Sequence, residues 1–156
     1  MPTLDELLGG GKDFGPKFIN LKNSGEFIKG VVTKIDNEAP VYEMVPDASG
    51  KYRQGNQKFW VDGKPKGVPA DEAKAAGLKP VHQIEIHLKD VVGEWENKPA
   101  DLTEAKVSAT GSANEREAFA IAVTEAGSID VGDVFGKKLD KRNGNKKEHS
   151  MKVVKA

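Results

Sequence analysis

Two stretches of this sequence bring together side chains that could hold a nucleic-acid strand. In the first, Tyr42, Tyr52 and Trp60 offer flat π surfaces, and Arg53, Lys58, Lys64 and Lys66 lie among them as cations. The second is the run Lys137-Lys138-Leu139-Asp140-Lys141-Arg142-Asn143-Gly144-Asn145-Lys146-Lys147. Aromatic faces stack on bases of any identity for about 1–3 kcal/mol each, and cations along a backbone add a salt-dependent attraction. The chemistry suited to these residues is binding of single-stranded DNA or RNA with little sequence preference. Trp60 would stack, with Tyr42 or Tyr52 as a second platform. The cations Arg53, Lys58, Lys64, Lys66, Lys137, Lys138, Lys141, Arg142, Lys146 and Lys147 would meet phosphates.

Other chemistries find less support. The sequence contains 0 Cys, which excludes disulfides, thiol catalysis and thiolate-held zinc. His82 and His87 are an odd number of residues apart on a strand, so they point to opposite faces and make a poor metal pair. Glu94-Trp95-Glu96 and Asp101-x-x-Glu104 are acids that solvation and helix capping explain. Gly9-Gly10-Gly11-Lys12 lacks the spaced glycine, the Lys-Ser/Thr pair and the preceding strand of a phosphate loop. No nucleophile elbow or zinc-protease motif occurs. The expectation is a protein that is not an enzyme and has no cofactor and no metal.

The elements that must position these side chains read mainly as strands. Gly25–Ile35 is β-branched and alternating, with Gly30 predicting a bend. Residues 36–56 read as a long connection rich in turn signals. Gln57–Val61 reads as a second strand, with Phe59 and Val61 on one face and Lys58 and Trp60 on the other. Asp62-Gly63 closes it and presents Lys64. Pro69–Gly77 has the marks of a short helix. In Val81–Val92, Ile84, Ile86 and Leu88 should face the core, while Gln83, Glu85, His87 and Lys89 face out. Residues 93–111 read as a polar, acidic loop. Ser112-Ala113-Asn114-Glu115 is a capping box opening a helix to about Ala126, with Gly127 ending it. Val131–Gly136 and Ser150–Val154 read as strands on either side of an Asn143-Gly144 turn. The predicted fold is mostly β: a five-stranded OB-fold (Greek-key) barrel with one helix between strands 3 and 4. Such barrels bind oligonucleotides on strands 2–3 and the loops joining strands 1–2 and 4–5. The expected division is an N-terminal arm, residues 1–23, and an OB-fold domain, residues 24–156.

Charge is neutral in sum, 24 Lys+Arg against 24 Asp+Glu, but it is segregated. Residues 137–156 carry eight bases and two acids, residues 51–66 five bases and one acid, and residues 94–133 nine acids and three bases. Segregated charge bears on partners. The basic stretches suit phosphates. The acidic 94–133 face supports the alternative reading, a protein-interaction or structural accessory module. A third reading, a metal-dependent nuclease using acids near Glu94–Asp101, would need magnesium-dependent cleavage. No run approaches the roughly 20 apolar residues of a membrane helix, and Met1–Glu6 has no signal-peptide character. The expected compartment is the cytoplasm.

Several short patterns carry a family resemblance: Gly25-x-Phe27-Ile28-x-Gly30-x-Val32, Trp60-x-Asp62-Gly63-Lys64-Pro65, the alternating Gln83–Leu88 strand, Gly111-Ser112 before an Ala-rich helix, and Val131-Gly132-Asp133 leading into the basic hairpin. Across residues 24–155 the chain resembles small OB-fold proteins encoded by bacteriophages that bind single-stranded DNA. The resemblance implies a protein that coats single strands during phage replication, recombination or repair, in the host cytoplasm. It implies Trp60 as the first contact to carry over, and replication or recombination proteins as partners. The last strand departs from the pattern, with Met151, Val153 and Val154 where an aromatic is expected. The terminal Lys152–Ala156 differs from the acidic, partner-recruiting tail of tetrameric bacterial proteins. A homodimer through an edge strand is a further expectation.

Overall fold

The computed structural model describes residues 16–50, 52–144 and 146–156. The chain is mostly β and divides into two compact units, residues up to Asp36 together with Glu85–Ala156, and Asn37–Ile84. The expected arm at residues 1–23 lies outside the described residues as far as residue 15. Within its remainder, β1 (Lys17–Phe18) is a short strand, and Ile19 and Leu21 are buried.

The larger unit is built on a six-stranded sheet. Its strands are β1, β2 (Phe27–Pro40), β6 (His82–Glu94), β7 (Glu104–Ser108), β8 (Val134–Asn143) and β9 (Lys146–Val154), in the order β1-β7-β6-β2-β8-β9. β1 pairs with β7 in parallel; β6 with β7, β2 with β8 and β8 with β9 are antiparallel. β2 and β6 carry the chain across the unit boundary within their own lengths.

Alternation builds the core. Ile28, Val32, Ile86, Leu88, Val107, Phe135 and Leu139 are fully buried. Gly30 sits where β2 passes β6: a Cβ there would stand 2.7 Å from the Lys89 carbonyl oxygen, so only glycine permits the approach. The helix α2 (Ala113–Ala126) covers this core. It buries Ala118 and Ala122, and Phe119 meets Phe135 edge-on at 6.2 Å. Ser112 caps it, its Oγ accepting the Glu115 N–H. The Glu115 carboxylate, the other half of the expected capping box, turns instead to Lys137.

The smaller unit holds a three-stranded antiparallel sheet of β3 (Tyr42–Pro46), β4 (Tyr52–Val61) and β5 (Lys64–Gly67), followed by the helix α1 (Ala70–Ala76). Gly77 ends α1 in the left-handed conformation, as its sequence implies.

Three expectations are corrected. The strand at 57–61 belongs to this separate sheet and is not a second strand of the main one. The connection at 36–56 contains the end of β2, all of β3 and the start of β4. Its turn residues mark a hairpin tip: Asp47 Oδ1 accepts from the Ser49 N–H and hydroxyl, and the Gly50 N–H donates to the Asp47 carbonyl. The acidic segment 93–111 contains β7, whose Ala105 and Val107 are fully buried on either side of Lys106. Among the described residues five strands thus become nine in two sheets. Among the described residues the larger sheet is open, with β1 and β9 at its edges.

Candidate nucleic-acid interface

In the smaller unit the strand register decides which side chains share a face. Directly opposed residues of an antiparallel pair lie on the same side. Trp60 pairs with Pro65 and Lys58 with Gly67, so Trp60 and Lys58 share one face. Phe59 pairs with Lys66, Val61 with Lys64 and Tyr42 with Gln57, which puts Tyr42, Lys64 and Lys66 on the other. A shift of register between Tyr42 and Met44 follows. Beyond it Arg53 opposes Val45 and joins the Trp60 face. Glu43 occupies the same face, its carboxylate accepting from the Asn56 N–H and lying over Gly67.

Trp60 is 45% exposed and Tyr42 37% exposed. Both offer accessible rings, but on opposite faces, so they cannot sandwich or stack one strand side by side. Tyr52 pairs through its backbone with Pro46; its side chain lies outside the described part of the structure. The β4–β5 turn is as its residues imply. Asp62 (φ 51°) and Gly63 (φ 78°) both take positive φ, the requirement of a two-residue hairpin turn whose twist matches its strands. Lys64 and Lys66 emerge from it into solvent.

The β8–β9 hairpin distributes its cations differently. Lys137 and Lys138 are consecutive on a strand, so one must face inward. Lys137 does: it is 4% exposed, pairs with Glu115 and donates to the Ser108 carbonyl at 2.9 Å. Arg142 donates from Nε to the Gly144 carbonyl at 3.0 Å and from Nη1 to the Lys22 carbonyl at 2.7 Å. Lys147 donates to the Leu21 carbonyl at 2.8 Å. Burial, then Arg142 and Lys137, hold its pKa below the usual lysine range. Lys137 is thus a core cation, and Arg142 and Lys147 fasten the hairpin to residues 21–22. Lys138, Lys141 and Lys146 stand in solvent.

A third surface escaped sequence reasoning. Thr33 and Lys34 are both exposed, so the alternation of β2 changes phase there. Lys34 and Asp36 consequently act on Glu85 and His87 of β6, and Lys106 of β7 lies opposite His87 and 4.0 Å from Glu85. Burial raises the Glu85 pKa. Burial, then Lys34 and Lys106, lower that of His87. Its Nε2 has no hydrogen-bond partner among the described residues. Lys29 of β2 and Lys152 of β9 were likewise passed over, since only the register brings them to Lys138.

The acidic 94–133 segment is partly neutralised within the unit. Glu115 pairs with Lys137, while Asp130 and Asp133 pair with Lys155. Among the described residues no three His, Asp or Glu side chains are grouped to hold a metal ion, and no helix is long and apolar enough to cross a membrane. Comparison with protein-family models, with curated proteins and with solved structures finds no match to this chain.

Proposed function

We propose that this protein binds single-stranded DNA with little sequence preference and acts by coating the strand rather than by catalysing a reaction. Its setting, as the family resemblance implies, is replication, recombination or repair of a phage genome in the host cytoplasm. The carrying observation is Trp60: a large indole left 45% exposed on a sheet face that also bears Lys58 and Arg53. An exposed aromatic among cations is the arrangement that stacks bases and follows phosphates.

The strand order supports an OB reading in a revised form. Taken in chain order, β2, β6, β7, α2, β8 and β9 correspond to OB strands 1, 2 and 3, the helix, and strands 4 and 5. β1 runs parallel along the free edge of β7, where a closing strand would lie. Residues 37–84 then occupy the chain position of the loop joining strands 1 and 2. The tip between Asn143 and Lys146 occupies that of the loop joining strands 4 and 5. Both are loops with which OB folds hold oligonucleotides.

The test is anisotropy of a labelled dT oligonucleotide and of a duplex, at low and moderate salt, with tryptophan quenching read in parallel. Selective, salt-sensitive binding with quenching is expected. Trp60→Ala should weaken it by about 1–3 kcal/mol, one stacked base. No binding at low salt would overturn the proposal.

A further inference from the structure

The outer face of β2, β8 and β9 carries a groove of about 600 Å³. The register fixes its layout. One row across the three strands is Phe27–Lys138–Ser150, and the next is Lys29–Gly136–Lys152. Gly136 is the floor between two lysines: a Cβ there would stand in ordinary contact with the Lys29 Cβ at 3.5 Å, and glycine leaves that floor without a side chain. Strands lie about 4.8 Å apart, which sets the Lys29 and Lys152 backbones roughly 10 Å apart across that floor. Lys29, Lys138 and Lys152 are exposed, and none forms an ion pair among the described residues. No carboxylate lines the groove. The nearest acid in the hydrogen-bond network is Asp140, which accepts from the Ser150 hydroxyl. Half-buried Phe27 forms one end.

We propose that this groove holds phosphodiesters of a bound single strand, with Lys29, Lys138 and Lys152 as its three contacts. The proposal rests on the single-strand-binding reading, to which it adds a contact surface that joins Lys138 and Lys152 of the basic 137–156 stretch to Lys29 of β2. Three cations line an uncharged glycine floor, and Asp140, the acid that reaches a lining residue, is engaged by the Ser150 hydroxyl, so the groove keeps charge complementarity to a polyanion. The groove is shallow and open at the surface, so a polymer can enter and leave along it; an enclosed small-molecule cleft would surround its ligand.

The experiment compares the wild-type chain with the triple variant K29A/K138A/K152A in binding a dT oligonucleotide from 0.05 to 0.5 M salt. Each phosphate contact to a single strand contributes about 0.7 to the slope of log K against log salt. The variant should therefore show a slope shallower by about 2 and an affinity about 100-fold lower at 0.1 M salt. An unchanged slope and affinity would overturn the groove while leaving strand binding itself standing. A wild-type chain that does not bind would overturn both. Lysine acetylation mapped by mass spectrometry on the wild-type chain keeps the test independent of the variant's folding. Lys29, Lys138 and Lys152 should be protected by dT, and equal labelling with and without dT would also overturn the groove.

Discussion

The β4–β5 hairpin turns through Asp62-Gly63 and leaves Lys64 and Lys66 in water, whereas the β8–β9 hairpin sends Lys137, Arg142 and Lys147 back to carbonyls and a carboxylate of its own unit. The second hairpin has the denser run of positive residues but keeps a smaller share of them free. A cation on a strand that flanks a core can be drawn inward by alternation alone. One on a small, two-sided sheet has solvent within reach on either face. Counting charge along a chain therefore overstates the ligand-facing charge of the better-packed hairpin.

The comparison breaks or sharpens under substitution, and the largest effect should come from Lys137. Lys137→Met leaves the Glu115 carboxylate without its lysine in a nearly buried site. Removing one member of such a pair costs about 3 kcal/mol. Urea denaturation should show that loss, with affinity for single-stranded DNA in the folded variant unchanged. A large affinity loss without a stability loss would reverse the roles assigned to the two hairpins. K64A/K66A should do the opposite. Two lost phosphate contacts reduce the salt slope by about 1.4 and affinity about 25-fold at 0.1 M salt, with the melting temperature unchanged. Retained affinity in that variant would remove the smaller sheet's turn from the interface.

The smallest effect is one of pH. Burial, then Lys34 and Lys106, lower the His87 pKa; burial, then Lys137, lower that of His149 on the β9 side. A histidine whose pKa falls on folding is protonated first in the unfolded chain. Stability should thus be full above the unfolded value near 6.5 and decline as pH drops through it. Melting temperatures at pH 7.5 and 5.5 should show this decline, and a H87N/H149N variant should flatten it. Equal pH dependence in the two proteins would mean that neither imidazole is held neutral by the fold.

Much of the local structure was legible because one side chain or one dihedral decides it. The Asp62-Gly63 turn, the Ser112 cap and the Gly77 terminus are of this kind. The alternation that buries Ile86 and Leu88 and exposes Lys89 is equally plain. β7 was missed because its buried apolar residues are only Ala105 and Val107, a weak signal interrupted by Lys106 and followed by the buried polar Ser108. β3 was missed because Pro40 and Pro46 at its borders read as loop residues, although proline is tolerated at strand ends. The aromatic set was legible as residue types but not as a surface. Tyr42 and Trp60 separate because of their cross-strand partners, and register is a property of pairs of segments. The same holds for Lys29, Lys138 and Lys152, which lie far apart in sequence and meet only through two strand pairings.

The order of the larger sheet also bears on how the chain folds. Its neighbours β2 and β6 are separated in sequence by all of residues 37–84, whereas β8 and β9 meet across a tight turn. Closing a flexible loop costs more as it lengthens, about 0.6 kcal/mol for each doubling. The β8–β9 hairpin is the local event, on the microsecond scale of such hairpins, and the β2–β6 pairing is the long-range one. The three-stranded sheet, assembled from short-range hairpins, shortens the effective loop if it forms first. The middle of the larger sheet is then the step whose rate depends on how fast residues 37–84 fold.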